Sequence, residues 1–343
     1  MYHIHKIIRI LMNFRGESGM LKIQPFNDFW LDCGFNSTIS ILCSLYEGYK
    51  DLAFYNNFIY DLQNEGTPTS YTVIIDQNTD KYIDNLFSKE FIEMGSNISN
   101  ELKSNIAKAQ QNQYIFFLGV DLFYWVDNSI CWHKNHWYHH SLVTEYEDGL
   151  SEVIALDDDF NGYQIQRIPF SRAIIASENY IKNHPNHIND AYFLIDKHVK
   201  ENFSYNKDDI MCNNLKIIIS LDNVLLKNHE CWVIRNNELN YIKENLTLFS
   251  MRCFQFYNRH KANLMFFNNL YELQFISLIQ KESLSQYSIQ IMHQWDILKG
   301  KLIKTEMQAR SHFDSDEFIT VTSKLFQREK EIWSSLNYML AAK

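Results

Sequence analysis

The sequence predicts an α+β protein with a mixed N-terminal half and a mainly helical C-terminal half, and three observations carry that prediction. An apolar run with helical spacing (Phe35, Ile39, Leu42, Cys43, Tyr46) follows Asp32-Cys33-Gly34. Between Tyr114 and Ile195, short segments with strand-like alternation recur. Beyond about residue 200 the alternation stops, and long aromatic-rich stretches with helical spacing take over.

In chain order, the spacing predicts a helix over 33–47, helices near 80–93 and 97–111, and a strand at 114–120. Strands follow at 137–146, 152–157, 163–168 and 191–195, and Asp148-Gly149 is a hairpin turn signal between the first two. Ser204, Asn206 and Asp208, then Cys212-Asn213-Asn214, mark a polar joint, and 216–221 fits a strand or a first helix. Helices are expected at 235–256, 258–282, 284–309 and 315–341. The expected organisation is an extension over 1–20, an α+β domain over 21–200 and a helical domain over 201–343.

Composition narrows the function classes. The 343 residues are 46% hydrophobic and 15% aromatic, enough for a large buried core. Only four prolines and ten glycines argue against disorder or a many-turned β-sandwich. A formal charge of −9 without a block of like charges gives nucleic acid little to bind. Six scattered cysteines (33, 43, 131, 212, 231, 253) are no disulfide framework. The apolar stretch from Ile7 to Met12 is broken by Arg9 and followed by Asn13 and Arg15, unlike a signal peptide, and the chain has no membrane-length apolar run. A cytoplasmic protein with no membrane association is expected, its first nineteen residues a dispensable extension.

Cys33 stands at the start of a helix, where unpaired backbone N–H groups favour a thiolate. About a hundred residues on come His139-His140 and then Asp157-Asp158-Asp159. A thiol, an imidazole to take its proton and a carboxylate to orient the imidazole make a nucleophilic system. Neighbouring strand residues face opposite ways, so one histidine and one of Asp157 and Asp158 share a face. A two-residue turn at Asp148-Gly149 would oppose His140 to Asp157, and a three-residue loop including Glu147 would oppose His139, so turn chemistry alone does not choose.

Asn27, six residues before Cys33 of Asp32-Cys33-Gly34, together with the segment from His139 to Gly149 and Ile154-Ala155-Leu156-Asp157, resembles the leader peptidase domains of bacteriocin exporters. Those papain-like domains are shorter. The length and the helical second half are more similar to the butirosin biosynthesis protein H family, papain-like acyltransferases of nonribosomal peptide and aminoglycoside gene clusters. The resemblance covers about residues 21–200. It implies a papain-like fold, a cysteine helix packed on an antiparallel sheet. It also implies Cys33 as nucleophile, His139 as base, Asp157 as orienter and Asn27 as oxyanion donor with the Cys33 N–H, with His140 and Asp158 as alternates.

Departures from the family pattern are His140 at an apolar position, Ser141, Glu145 in place of Gly, and Asn27 in place of Gln. The implied reaction moves an acyl or peptidyl group from an acyl or peptidyl carrier protein, presented on phosphopantetheine, through acyl-Cys33 to a small-molecule or peptide amine. No cofactor of its own is expected. A papain-like cysteine peptidase or hydrolase, and a non-catalytic papain-like binding module, are the alternatives.

Other features carry less. Cys131, His133, His136, His139 and His140 are dense in metal-ligand types, but Trp132, Trp137 and Tyr138 interleave them and no second ligand pair lies at finger-like distance, so no metal is expected. Three consecutive acids at a strand end cannot all face one ion. The three aromatics suit the core or an acyl groove. Arg259-His260-Lys261 and the lysines from Lys299 to Lys304 read as solvated faces, or as docking points for an acidic carrier protein.

Overall fold

A computed structural model describes residues 22–55, 58–64, 71–77, 87–92, 94, 97–112, 114–184, 190–195, 206–234, 239–308 and 313–342. The expectation for residues 1–20 lies outside them. The described chain is α+β with antiparallel sheets and falls into two compact units, one from residues up to Lys50 with Thr79–Glu201 and one from Asp51–Asn78 with Asn202–Lys343. Residues 51–78 therefore belong with the helical half, although the sequence places them in the first domain.

In the first unit, α1 (Cys33–Leu45) starts at Asp32, whose carboxylate accepts the Phe35 N–H at 2.8 Å and whose extended backbone turns the chain into the helix. Every residue from Phe35 to Leu42 is buried, so this is a core helix rather than a one-faced amphipathic one. Its polar residues are bonded accordingly. Asn36 Nδ2 donates to the carbonyls of Phe26 and Phe29 at 3.0 Å each, and Asn36 Oδ1 accepts the Leu31 N–H, which fixes the preceding segment.

The sheet strands of this unit are β3 (Phe87–Ile92), β4 (Tyr114–Asp121), β5 (Tyr138–Glu147), β6 (Glu152–Asp159), β7 (Gly162–Pro169) and β8 (Asp190–Ile195). They pair antiparallel in the order β3-β8-β4-β5-β6-β7. Where the sequence predicts a helix near 80–93, residues 87–92 form a strand because pairing with β8 outweighs local spacing; 80–86 lie outside the described residues. Helices α3 (Ile98–Asn112) and α4 (Phe170–Asn183) pack on the sheet, with Leu102, Ile106, Ala173 and Ala176 closing a core over Phe116, Leu118, Trp125 and Val153.

The second unit holds α2 (Leu52–Tyr55), the hairpin β1 (Phe58–Asn64) and β2 (Tyr71–Gln77), and helices α5 (Lys207–Cys231), α6 (Leu239–Glu272), α7 (Leu278–Met307) and α8 (Ser315–Ala341). The hairpin joins the helices through Tyr60, whose ring meets Phe256 and Phe326 at 5.7 and 5.5 Å. The units part at Glu201/Asn202, just ahead of Asn206, which caps α5 by accepting the Asp208 N–H at 3.0 Å, and 216–221 is helix. Ser204 lies outside the described residues. The break expected near residue 257 is absent, because Asn258 is buried and bonds back to the Phe254 carbonyl within one continuous α6. Among the described residues no helix is long and apolar enough to cross a membrane.

Candidate active site

The hairpin β5–β6 decides which histidine meets which acid. Glu147 pairs with Glu152, so the loop is 148–151, neither of the shorter turns that the sequence suggests, and the left-handed backbone falls on Ser151 (φ 52) rather than on Gly149. Glu145 pairs with Ile154 but Val143 with Ala155, so β5 carries one extra residue at Thr144, whose hydroxyl donates to the Ile154 carbonyl at 3.2 Å. Beyond this bulge Leu142 pairs with Leu156. Continuing that register sets Ser141 across from Asp157 and puts His139 next along the same face. Without the extra residue, Leu142 would oppose Asp157 and His140 would share its face.

His139 Nε2 accordingly lies 2.9 Å from Asp157 Oδ2. His140 points away, exposed, with Nε2 3.4 Å from the Tyr180 hydroxyl. Asp157 is buried and heavily bonded. Its Oδ2 also accepts Trp125 Nε1–H at 2.7 Å, and its Oδ1 accepts the Asp158 N–H at 2.8 Å. Burial alone would raise this carboxyl, but the His139 imidazole, the Ser141 hydroxyl and the Asp158 N–H together hold it below its ordinary range. Burial likewise disfavours the His139 imidazolium, yet Asp157 outweighs it and the net direction is up. With Nε2 committed to Asp157, Nδ1 is the nitrogen left for proton exchange.

Cys33 faces this pair from the first turn of α1, its sulfur and the nearest His139 and Asp157 ligand atoms all within 4.8 Å of one another. The thiol does not bond to His139. It donates to Asp158 Oδ2 at 2.7 Å, while Asp158 Oδ1 accepts Trp30 Nε1–H at 2.8 Å. Asp157 and Asp158 thus both reach the site, one at the imidazole and one at the sulfur. Burial first, then the charges of Asp158, Asp157 and Asp32, push the thiol well above its ordinary value. The thiolate expected from the helix start is reversed because the sulfur is buried, three carboxylates surround it and Asp32 already caps the first turn. Asp158 is pushed up to about 6, by burial and then by Asp157, against the bonds from Cys33 and Trp30.

Asn27 presents its carbonyl oxygen, not its amide, to the site wall: Oδ1 accepts the Tyr163 N–H at 3.3 Å and lies where a Cβ on Gly162 (φ 114) would stand, 2.5 Å away. That contact and the positive φ together require glycine at 162. Trp125, Ser141 and Trp30 are site residues absent from the sequence-level prediction. Ser141 stands out in the sequence as a polar residue in an apolar strand, which is the signal that could have found it.

The Cys/His-rich segment disperses. His136 Nδ1 pairs with Asp121 at 2.7 Å, His133 stacks between Trp132 and Phe123, and Cys131 is buried with its thiol pushed up to about 12 by burial. Trp132 is half-buried under the Arg172 guanidinium at 4.8 Å. Among the described residues, the atoms close enough for a small cation to bridge are those of Cys33, His139 and Asp157.

Of the basic trio in the helical unit, Lys261 is exposed as expected, but Arg259 and His260 are not a solvated face. Arg259 and His260 are fully buried against Glu329, Arg259 Nε at 2.7 Å and His260 Nε2 at 3.5 Å. A carboxylate distant in sequence lies against both, which charge adjacency in the sequence cannot reveal. Lys299 and Lys301 pair with Asp296 and Glu317 at the surface. No protein-family model and no curated protein matches the chain.

Proposed function

We propose that this chain is a cysteine-dependent acyltransferase of secondary-metabolite biosynthesis with a papain-like first unit, and the carrying observation is the convergence of Cys33, His139 and Asp157. A helix that opens on the thiol, packed on an antiparallel sheet that supplies imidazole and carboxylate, supports the papain-like reading. In the reaction, Cys33 gives its proton to His139 Nδ1 and attacks the carbonyl of a carrier-bound thioester. The carrier thiol leaves with that proton, and acyl-Cys33 remains. An amine then attacks it, forming the amide and restoring the thiol. Asp157 stays ionised throughout and keeps the imidazole oriented, in line with its saturated bonding. The Cys33 N–H would serve a developing oxyanion, the Phe35 N–H being taken by Asp32; Asn27 would join it by turning its amide inward from its bond to Tyr163.

Incubation with an acyl-loaded carrier protein, followed by intact-mass measurement, should show an acyl group on Cys33 that hydroxylamine removes. No adduct on the wild type, or an equal adduct on Cys33→Ala, refutes the covalent reading and leaves a binding module. Free acid as the sole product in the presence of amines assigns the chain to the hydrolases.

A further inference from the structure

The sulfur of Cys33 sits between two carboxylates with different partners. Asp157 is bonded to His139, Trp125 and the Asp158 N–H. Asp158 is bonded to the Cys33 thiol at 2.7 Å and the Trp30 indole at 2.8 Å, both neutral. The imidazole nearest to both acids is committed to Asp157. With Asp32 capping α1, three carboxylates meet one imidazole around the thiol. A nucleophile that needs only His139 and Asp157 gains nothing from a second carboxylate on the sulfur, which opposes the thiolate. The arrangement gains its sense when a cation occupies Asp158.

We propose that Asp158 is the acceptor subsite: its carboxylate binds the ammonium form of the incoming amine beside Cys33 and takes the proton that makes this amine a nucleophile. The inference rests on the acyl-transfer reading and specifies its acceptor, an alkylammonium rather than an alcohol or water. Asp158 and Cys33 are both partly exposed, so a ligand reaches them from solvent. Trp30 fixes Oδ1, leaving Oδ2, the oxygen on the sulfur, to accept the ammonium beside or in place of the thiol's hydrogen bond.

The step balances. R–NH3+ gives one proton to Asp158, and the free amine attacks the thioester carbon of acyl-Cys33, forming C–N. The C–S bond breaks, and the nitrogen's second proton passes through His139 to the departing sulfur. Asp158 then loses its proton to solvent. A carboxyl held near 6 is a competent acceptor at neutral pH and is ionised before the amine arrives.

The test uses the full chain, 1,4-diaminobutane as the cationic probe and iodoacetamide as the thiol probe. Wild type should bind the diamine saturably by calorimetry, and Asp158→Asn should weaken that binding at least tenfold. The same variant should alkylate Cys33 several-fold faster, since an anion has left the sulfur; opposite directions in one variant are not what loss of structure gives. Trp30→Phe, which keeps the charge and unfixes it, should weaken binding by a smaller factor. Equal diamine binding by wild type and Asp158→Asn, or no saturable binding by wild type, overturns the proposal even if acyl-Cys33 forms. Asp158-dependent binding with no acylation by any thioester would instead refute the transferase reading and leave the ammonium site standing.

Discussion

Replacing Asp158 by Asn should make the protein more stable at neutral pH, a gain obtained by deleting a site carboxylate. The isosteric amide still offers its oxygen to Trp30 Nε1–H, so packing is kept. The folded protein holds the Asp158 proton up to about pH 6, whereas the carboxyl ordinarily releases it near 3.8. Across that window the unfolded chain binds fewer protons, so wild-type stability falls as pH rises and stays lowered above about pH 6. At about 1.4 kcal/mol per pH unit the whole interval comes to ~3 kcal/mol. Partial exposure of Asp158 and the loss of its attraction for the His139 imidazolium reduce the expected gain to about 1–2 kcal/mol. Urea unfolding at pH 8 should therefore give a higher midpoint for Asp158→Asn, with a melting temperature raised by roughly 3–6 °C. Near pH 4 the two proteins should coincide, because both then carry a neutral side chain at 158. Asp157→Asn should do the reverse: the Asp157 carboxyl is held low, so its contribution is present at neutral pH and fades as pH falls through its folded-state value. A melting temperature for Asp158→Asn at or below wild type at pH 8, or the same shift at pH 4 and pH 8, would refute the reasoning.

His139→Ala should slow acylation of Cys33 by about 100-fold or more, as for loss of a general base, while His140→Ala stays within threefold, measured by intact mass against time. Equal losses would mean that the bulge at Thr144 does not set the facing residue. Glu329→Gln leaves the buried Arg259 guanidinium with no carboxylate and should destabilise the helical unit by about 3–5 kcal/mol in urea unfolding; a change under 1 kcal/mol would show that the pair is solvated. Saturating 1,4-diaminobutane should raise the rate of iodoacetamide reaction at Cys33 in wild type and leave it unchanged in Asp158→Asn, since the ammonium neutralises the carboxylate that holds the thiol proton. No acceleration in wild type would dissociate amine binding from the sulfur.

The parts of this protein legible in its sequence are those fixed by local rules. Asp32 ahead of Cys33 is a helix cap, and its place in the structure follows from short-range bonding to the Phe35 N–H. Strands β4 to β7 are legible as short apolar segments between turn signals, although β6 is buried on both faces from Val153 to Asp157. What is not legible depends on pairing at long range. A one-residue bulge at Thr144 leaves no mark in composition, yet it reverses which of two adjacent histidines meets Asp157. Among the described residues β1 and β2 pair with each other, and Tyr60 packs on helices that begin more than a hundred residues later. The thiol's electrostatics are similarly hidden: a helix start argues for a lowered pKa, and burial of the sulfur, joined by the carboxylates that β6 brings in, reverses it.

Asp157 and Asp158 are adjacent in sequence and opposite in their proton chemistry, and the difference comes from what each is bonded to. Asp157 accepts from an imidazole, an indole and a backbone amide, all of which favour its charge, so it serves as a fixed anion. Asp158 accepts from a thiol and an indole, and its neighbour's charge works against its own, so it remains the acid that can still exchange a proton. One carboxylate therefore suits holding the base through the whole cycle, and the other suits the single step at which a cationic nucleophile must lose a proton. On the proposed acyl-transfer reading the resting thiol bond to Asp158 fits the same division: it would keep Cys33 protonated until substrates neutralise its surroundings, limiting adventitious oxidation or alkylation of a partly exposed thiol.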